Sequence, residues 1–305
     1  MPTKKTCDTL VEDIYAMLNS VIDGSSKELG EGVLATLGAE VASALQRSLQ
    51  ARTKARPPKT LYMSEYARPC TRQLWYDLKG YDREKLKPEN LIKFLYGDIL
   101  EALVLALAEA SGHEVTDEQA SMELDIGRGW KIRGRIDARI DGELVDVKST
   151  TSFGMKKFKE HKLQGDDPFG YIGQLFGYSY VDHLANGGTE EDKEGRKASF
   201  IAIDKGLGHL VRDEYKFKEF PNLQKDFDKL IDKLEATSPP ERSYNPVPHN
   251  KSGNEKLGVS CSYCAFKKEC WKDSNDGKGL RTFLYSTGPI FLTTVKREPN
   301  GIPEV

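Results

Sequence analysis

The residues best placed to do chemistry lie in one stretch, Lys131-Ile-Arg-Gly-Arg-Ile-Asp-Ala-Arg-Ile-Asp-Gly-Glu-Leu-Val-Asp-Val-Lys148. Apolar and charged side chains alternate there with period two, the mark of a strand with one buried face. Asp141-Gly142 is a two-residue hairpin signal, because both turn positions need a left-handed backbone. Folding about that turn sets Ile140 against Glu143, Ala138 against Val145 and Asp137 against Asp146. Ile132, Ile136, Ala138, Ile140, Val145 and Val147 then share a core face. Lys131, Arg133, Arg135, Asp137, Arg139, Asp146 and Lys148 share the other.

Two carboxylates set opposite each other repel. A hard divalent cation, magnesium or manganese, turns that repulsion into coordination. Ion pairs with Arg135 and Arg139 would also relieve it, and the hairpin alone leaves both readings open. Three further features favour a cation. Glu101 interrupts the apolar run Ile99–Ala108, where an unpartnered carboxylate is costly to bury; an exposed stripe with Asp98 is the other reading. Lys148 follows Asp146 by two residues, hence on its face, where an ammonium can stabilise charge on a phosphate. Gln174 and Tyr178, four apart, share a helical face with Tyr171.

Five cysteines offer a second chemistry. Cys261, Cys264 and Cys270 form C-x2-C-x5-C among Lys267, Lys268 and Lys272, a density of thiols that suits a metal. The odd count speaks against a disulfide framework. Cys70 is the natural fourth ligand, since Cys7 stands near a terminus that frays. Zinc and a [4Fe–4S] cluster both accept four thiolates, and spacing alone leans to zinc.

These side chains need elements to carry them. Hydrophobic periodicity predicts helices over 8–22 and 33–50, separated by Gly- and Ser-rich breakers. A basic run follows (Arg47, Arg52, Lys54, Arg56, Lys59), read equally as a solvated linker or a phosphate-contacting arm. Ser64 can cap a short helix bearing Cys70, Arg72, Trp75 and Tyr76. The most apolar helix covers 88–111, with Pro88 at its start and Gly112 past its end. Strands are expected over 114–124, 130–140, 143–149, 198–204 and 209–217. Helices are expected over 156–162, 168–184 and 222–234. Residues 237–256 read as a loop leading to the cysteines, and the tail from Arg281 as a further strand or two. This order implies a mixed α/β domain around a central sheet.

The chain of 305 residues has room for one large domain or two modest ones, and its net charge of −2 excludes a simple cationic nucleic-acid coat. At 38% hydrophobic residues, with no apolar run approaching the roughly 20 residues of a bilayer span, a membrane protein is not expected. The opening Met1-Pro2-Thr3-Lys4-Lys5 leads into no apolar signal stretch, so a cytoplasmic location is expected. There is no G-x-x-x-x-G-K-[ST] phosphate loop, G-x-S-x-G elbow or H-E-x-x-H motif.

Taken together, these residues resemble the PD-(D/E)xK nuclease superfamily, in its RecB-like branch. Asp146-Val147-Lys148 matches the (D/E)-x-K element, Gly134-Arg-Ile-Asp137 the preceding G-x-x-D strand, and Gln174-Leu-Phe-Gly-Tyr178 the Q-x-x-x-Y helix. Cys70 ahead of this core and Cys261, Cys264 and Cys270 behind it resemble the iron–sulfur arrangement of CRISPR-adaptation exonucleases and AddB-type nuclease domains. One departure is Gly97-Asp-Ile-Leu-Glu101, where RecB-like members carry G-x-x-x-H; a glutamate there is more like lambda-exonuclease and related viral enzymes. The resemblance spans about 61–273.

It implies a restriction-endonuclease-like fold: a central mixed sheet flanked by helices, with an N-terminal helical region and a C-terminal iron–sulfur subdomain. The expected division is 1–60 (helices and basic linker), 61–236 (nuclease core, with Cys70 lent to the cluster) and 237–305 (loop, cysteines and tail). The implied activity is a Mg²⁺- or Mn²⁺-dependent DNA exonuclease acting on ends or single strands in recombination, repair or replication, of a size that suits a phage. The alternative is a non-catalytic Fe–S DNA-binding or assembly subunit. Glu101, Asp137, Asp146 and the Val147 carbonyl would hold the cation. Lys148 would position water, and Gln174 and Tyr178 would orient the site. Arg133, Arg135, Lys156, Lys157 and Tyr171 would line the DNA path. The cysteines would hold [4Fe–4S], with zinc as the alternative. DNA and a recombination or replication protein are the expected partners; no oligomer signal is legible.

Overall fold

A computed structural model describes residues 4–25, 30–50, 56–66, 68, 70–189, 197–216 and 223–305. Arg52 and Lys54 of the basic run lie outside the described residues. In chain order the first elements are α1 (Leu10–Ile22), α2 (Glu31–Gln50), β1 (Thr60–Tyr62), α3 (Met63–Tyr66), α4 (Thr71–Leu78) and α5 (Pro88–Ala110). Strands β2 (Val115–Thr116), β3 (Ser121–Gly127), β4 (Trp130–Arg135), β5 (Ala138–Ile140) and β6 (Glu143–Thr150) follow. Then come α6 (Ser152–Lys159), α7 (Tyr171–Ala185), β7 (Lys197–Asp204), β8 (Leu210–Lys216) and α8 (Leu223–Glu235). The last part holds β9 (Val247–His249), β10 (Asn254–Lys256), one-turn helices α9 (Val259–Ser262) and α10 (Lys267–Cys270), and β11 (Arg281–Tyr285) and β12 (Gly288–Thr294).

The chain divides into two compact units. The first comprises 1–67, 87–167 and 171–223; the second comprises 68–86, 168–170 and 224–305. No helix among the described residues is long and apolar enough to cross a membrane.

The first unit is mixed α/β, with a five-stranded sheet of order β2-β5-β6-β7-β8 and a three-stranded sheet of order β1-β4-β3. In the larger sheet only β6 and β7 run parallel. The hairpin forms in the expected register, Ala138 against Val145 and Ile140 against Glu143. Its turn residues Asp141 and Gly142 both take positive φ, 53° and 85°, as a two-residue turn between right-twisted strands requires. Leu10 and Ile14 of α1, with Val104, Leu105 and Ala108 of α5, pack on Ala138, Ile140, Val145 and Val147. Phe158 and Tyr171 of the other two helices cover the opposite face at Phe200.

Three expectations are corrected. The strand over 130–140 is two strands in two sheets, interrupted at Ile136 and Asp137, so Ile132 and Ile136 lie outside the cluster that holds Ala138 and Ile140. The strand over 114–124 is likewise split into β2 and β3. An unbroken alternation hides the break at Ile136–Asp137, because a chain that switches sheets can keep burying every second residue. Finally, the loop over 237–256 contains β9 and β10, short strands that pair with each other, β10 also pairing with β12 far downstream.

The second unit builds a sheet of order β11-β12-β10-β9. Helix α4 begins at Thr71, with Cys70 as its N-cap residue. Trp75 Nε1 donates to the Ala236 carbonyl at 3.0 Å, and an Arg72 guanidinium nitrogen to the Pro240 carbonyl at 2.7 Å. Tyr76 stacks on Phe266, and Glu84 N–H donates to the Ala265 carbonyl at 2.9 Å. The segment carrying Cys70 is thereby fastened to the segment carrying the other three cysteines.

Candidate active site

Asp146 sits mid-strand on β6 and is 2% exposed. Its Oδ2 takes an ion pair from Lys148 Nζ at 2.5 Å but no hydrogen bond of good geometry. Lys148 lies in turn over the Tyr171 ring, 5.0 Å from its centroid, and 3.4 Å from Gln174 Oε1. Gln174 Nε2 faces the Tyr178 hydroxyl at 3.4 Å. The two residues share a face of α7, as their spacing implied.

Asp137 lies one residue before β5, at the break between the sheets. Its Oδ2 accepts the Val147 N–H at 2.7 Å. A strand residue points its N–H and C=O to the same side, so the Val147 carbonyl also faces the Asp137 side of β6. Glu101, on α5, accepts a 2.6 Å hydrogen bond from Gln119 Nε2.

These acids feel one another. Burial, then the charges of Asp146 and Asp98, push the Glu101 carboxyl up to about 7. Burial, then Asp146 and Glu101, hold Asp137 well above the usual carboxylate range. Burial disfavours the Lys148 ammonium, but Asp146 and Asp137 outweigh it and keep its pKa above that of a free lysine. Lys148 is thus the ammonium among these carboxylates, Arg47 acts on Glu101 from one side, and two other arginines are engaged elsewhere. Arg139 pairs with Asp117 at 3.0 Å and with Asp182, and Arg133 with Glu123.

The oxygens of Glu101, Asp137 and Asp146 are not drawn into a closed triad. Among the described residues, the group of three whose ligand atoms lie within 4.8 Å of one another is Asp8, Glu143 and Glu214. Sequence reasoning did not single it out, and it has its own cations. Arg212 reaches all three at 2.7–2.9 Å, and Lys197 reaches them at 2.9–3.4 Å. Two cations amid three acids make an ion-pair network that ties the start of the chain to β6, β7 and β8. No metal is needed there.

Of the residues expected to line a DNA path, Arg135 is exposed. Lys156 pairs with Glu160 at 3.7 Å and Lys157 with Asp166 at 2.6 Å. Tyr171 stacks on Phe158 beneath Lys148, and burial raises its phenol pKa. Arg47 pairs with Glu40 and Arg56 with Glu65.

The sequence model of the PD-(D/E)XK nuclease superfamily matches residues 20–271. The chain belongs to this superfamily. No curated protein matches the chain in sequence. Among solved structures, it is similar to SSO0001 at 17% identity and a TM-score of 0.43, covering 74% of this chain and 92% of that one. It is also similar to an alkaline exonuclease, LHK-Exo, from Laribacter hongkongensis, at 16% identity and a TM-score of 0.39, covering 62% and 92%. As in other PD-(D/E)XK nucleases, the chemistry expected of such a fold uses divalent metal.

All five cysteines are free thiols. Burial, with smaller contributions from neighbouring cysteines, raises Cys261 to about 12 and Cys264 to about 11, and raises Cys270. Cys70 is among the neighbours acting on each. The four are thus within electrostatic reach, yet no three of their sulfurs lie within 4.8 Å of one another.

Proposed function

We propose that this protein is a divalent-metal-dependent DNA exonuclease acting on ends or single strands. The observation that carries the reading is the surplus of negative charge around Asp146: Asp98, Glu101, Asp137 and Asp146 against Lys148 and Arg47 leave two charges unmatched when all are ionised. A hard dication with oxygen ligands offsets that surplus. The residues fit it, since Asp146 Oδ2 meets the Lys148 ammonium but makes no hydrogen bond of good geometry, and Glu101 keeps one oxygen clear of Gln119.

Glu101, Asp137, Asp146 and the Val147 carbonyl would hold Mg²⁺ or Mn²⁺. The ion supplies Lewis acidity toward a phosphate oxygen and lowers the pKa of water. Lys148, fixed between Asp146, Gln174 and the Tyr171 face, offsets charge that develops on the phosphate. Gln174 and Tyr178 limit where the Lys148 ammonium can go. Arg135 and the bases of α6, Lys156 and Lys157, would bind the backbone of the strand.

Cys70, Cys261, Cys264 and Cys270 would hold a [4Fe–4S] cluster that staples α4 to the C-terminal segment. Burial makes Cys261, Cys264 and Cys270 resist ionisation alone, and a metal supplies the missing charge. Sulfurs on a single zinc stand about 3.8 Å apart, from Zn–S bonds of about 2.3 Å. No three of these sulfurs stand that close together.

The test is digestion of DNA labelled at its 5′ or 3′ end, single- and double-stranded, with Mg²⁺, Mn²⁺ or chelator. Metal-dependent release of label from one end supports the proposal. DNA binding without cleavage under every metal would instead identify a non-catalytic DNA-binding subunit.

A further inference from the structure

Glu101 is held from a direction that motif spacing did not suggest. Gln119, between β2 and β3, donates from Nε2 to Glu101 Oε1 at 2.6 Å. Its backbone N–H donates to the Asp137 carbonyl at 3.0 Å. One loop residue therefore ties together two acid-bearing residues on different elements. The loop is where the chain leaves the five-stranded sheet for the three-stranded one, and Ile136–Asp137 is where it returns. Ile136 N–H closes this seam on the Ala120 carbonyl at 3.1 Å.

Gln119 adopts a φ of +54°, a left-handed conformation that favours glycine or asparagine. Closing the loop does not require a glutamine there. What glutamine adds is an amide long enough to reach the α5 carboxylate. A strained position occupied by a side chain that reaches the Glu101 carboxylate points to a role at the site.

We infer that Gln119 is a positioning residue of the metal site, restricting Glu101 to a single oxygen toward the cation and so selecting a small octahedral ion over calcium. The inference rests on the nuclease reading above. The Oε1 atom that accepts the amide hydrogen is committed to it, and Oε2 remains. Magnesium and manganese are satisfied by one oxygen per carboxylate, whereas the larger shell of calcium draws on bidentate carboxylates.

The experiment is calorimetric titration of the full chain, without DNA, with Mn²⁺ and with Ca²⁺, alongside melting curves and DNA digestion. The variants are Gln119→Gly, Gln119→Asn and Glu101→Gln. Gln119→Gly keeps the backbone donor and suits the left-handed position, so it folds with an unchanged or higher Tm. Gln119→Asn also tolerates that backbone but is too short to reach Glu101.

Both Gln119 variants are expected to bind Mn²⁺ about tenfold more weakly or worse, as loss of an outer-shell partner does, while Ca²⁺ affinity holds or rises. Unchanged Mn²⁺ and Ca²⁺ affinities in Gln119→Gly, with binding lost in Glu101→Gln, would overturn the inference and leave the nuclease reading intact. An equal loss for both ions would overturn the selectivity. If the unaltered protein binds neither ion and degrades no DNA, the nuclease reading fails first and takes this inference with it.

Discussion

The ring of Tyr178, on α7, occupies the space that a Cβ on Gly134 of β4 would need. Met63 closes the same spot, its Cβ 2.9 Å from that position. The glycine of G-x-x-D and the tyrosine of Q-x-x-x-Y are thus two halves of one contact. The close approach lets Tyr178 stand beside Gln174, which in turn meets Lys148.

Gly134→Ala should therefore cost about 1–3 kcal/mol, the range for overpacking a filled site, and displace Tyr178. Denaturant melts of Gly134→Ala, Tyr178→Ala and the double variant measure it. The two costs are expected to be strongly non-additive, because truncating the ring frees most of the space. Simple additivity would show that the contact does not couple the strand to the helix.

Lys148→Ala should reduce DNA degradation by about 100-fold or more, the scale of losing one preorganised charge at a reacting phosphate. Metal-free stability should drop, since the substitution leaves the buried Asp146 carboxylate without its ion pair, so activity is read at a temperature where the variant is still folded. Circular dichroism and the end-label assay read the two effects separately. Full activity in the variant would remove Lys148 from the site.

Glu101 gives a pH signature. Its carboxyl titrates near pH 7 when folded and metal-free, above its ordinary value of 4.5. The stabilising contribution is complete below pH 4.5 and is lost as pH rises through 7. In chelator, the Tm should fall between pH 5 and pH 8, and Glu101→Gln should flatten the fall. Mg²⁺ should raise the Tm more at pH 8 than at pH 5, where it competes with a proton.

Arg212→Ala should be strongly destabilising, by about 3–5 kcal/mol, because it leaves Glu143 buried beside Asp8 and Glu214 with Lys197 and the Ser199 hydroxyl to face three acids. Divalent cation should not restore the loss if these acids form an ion-pair network. A Tm recovered fully by Mg²⁺ would instead make them a metal site.

Anaerobically purified protein should show a broad absorbance near roughly 400 nm, as thiolate-ligated iron does. Cys264→Ser should bleach it and lower the Tm. A colourless protein containing one zinc would replace the cluster with the ion.

Local information settled more of this protein than the shortness of its motifs suggests. The Asp137–Asp146 hairpin was legible because period-two burial and an Asp-Gly turn act over neighbouring residues, and they fixed a register that the fold keeps. The apolar helix of Glu101 was legible for the same reason, its ends marked by Pro88 and the glycine after Ser111. Tertiary structure decided what no periodicity encodes. It broke the strand at Ile136–Asp137 and sent its halves to different sheets, folded Phe158 and Tyr171 over β7, and brought Gln119 to Glu101 across 18 residues of sequence. Alternation reports only whether a side chain is buried. Which element buries it, and which carboxylate then lacks a partner, depends on packing between residues far apart in the chain.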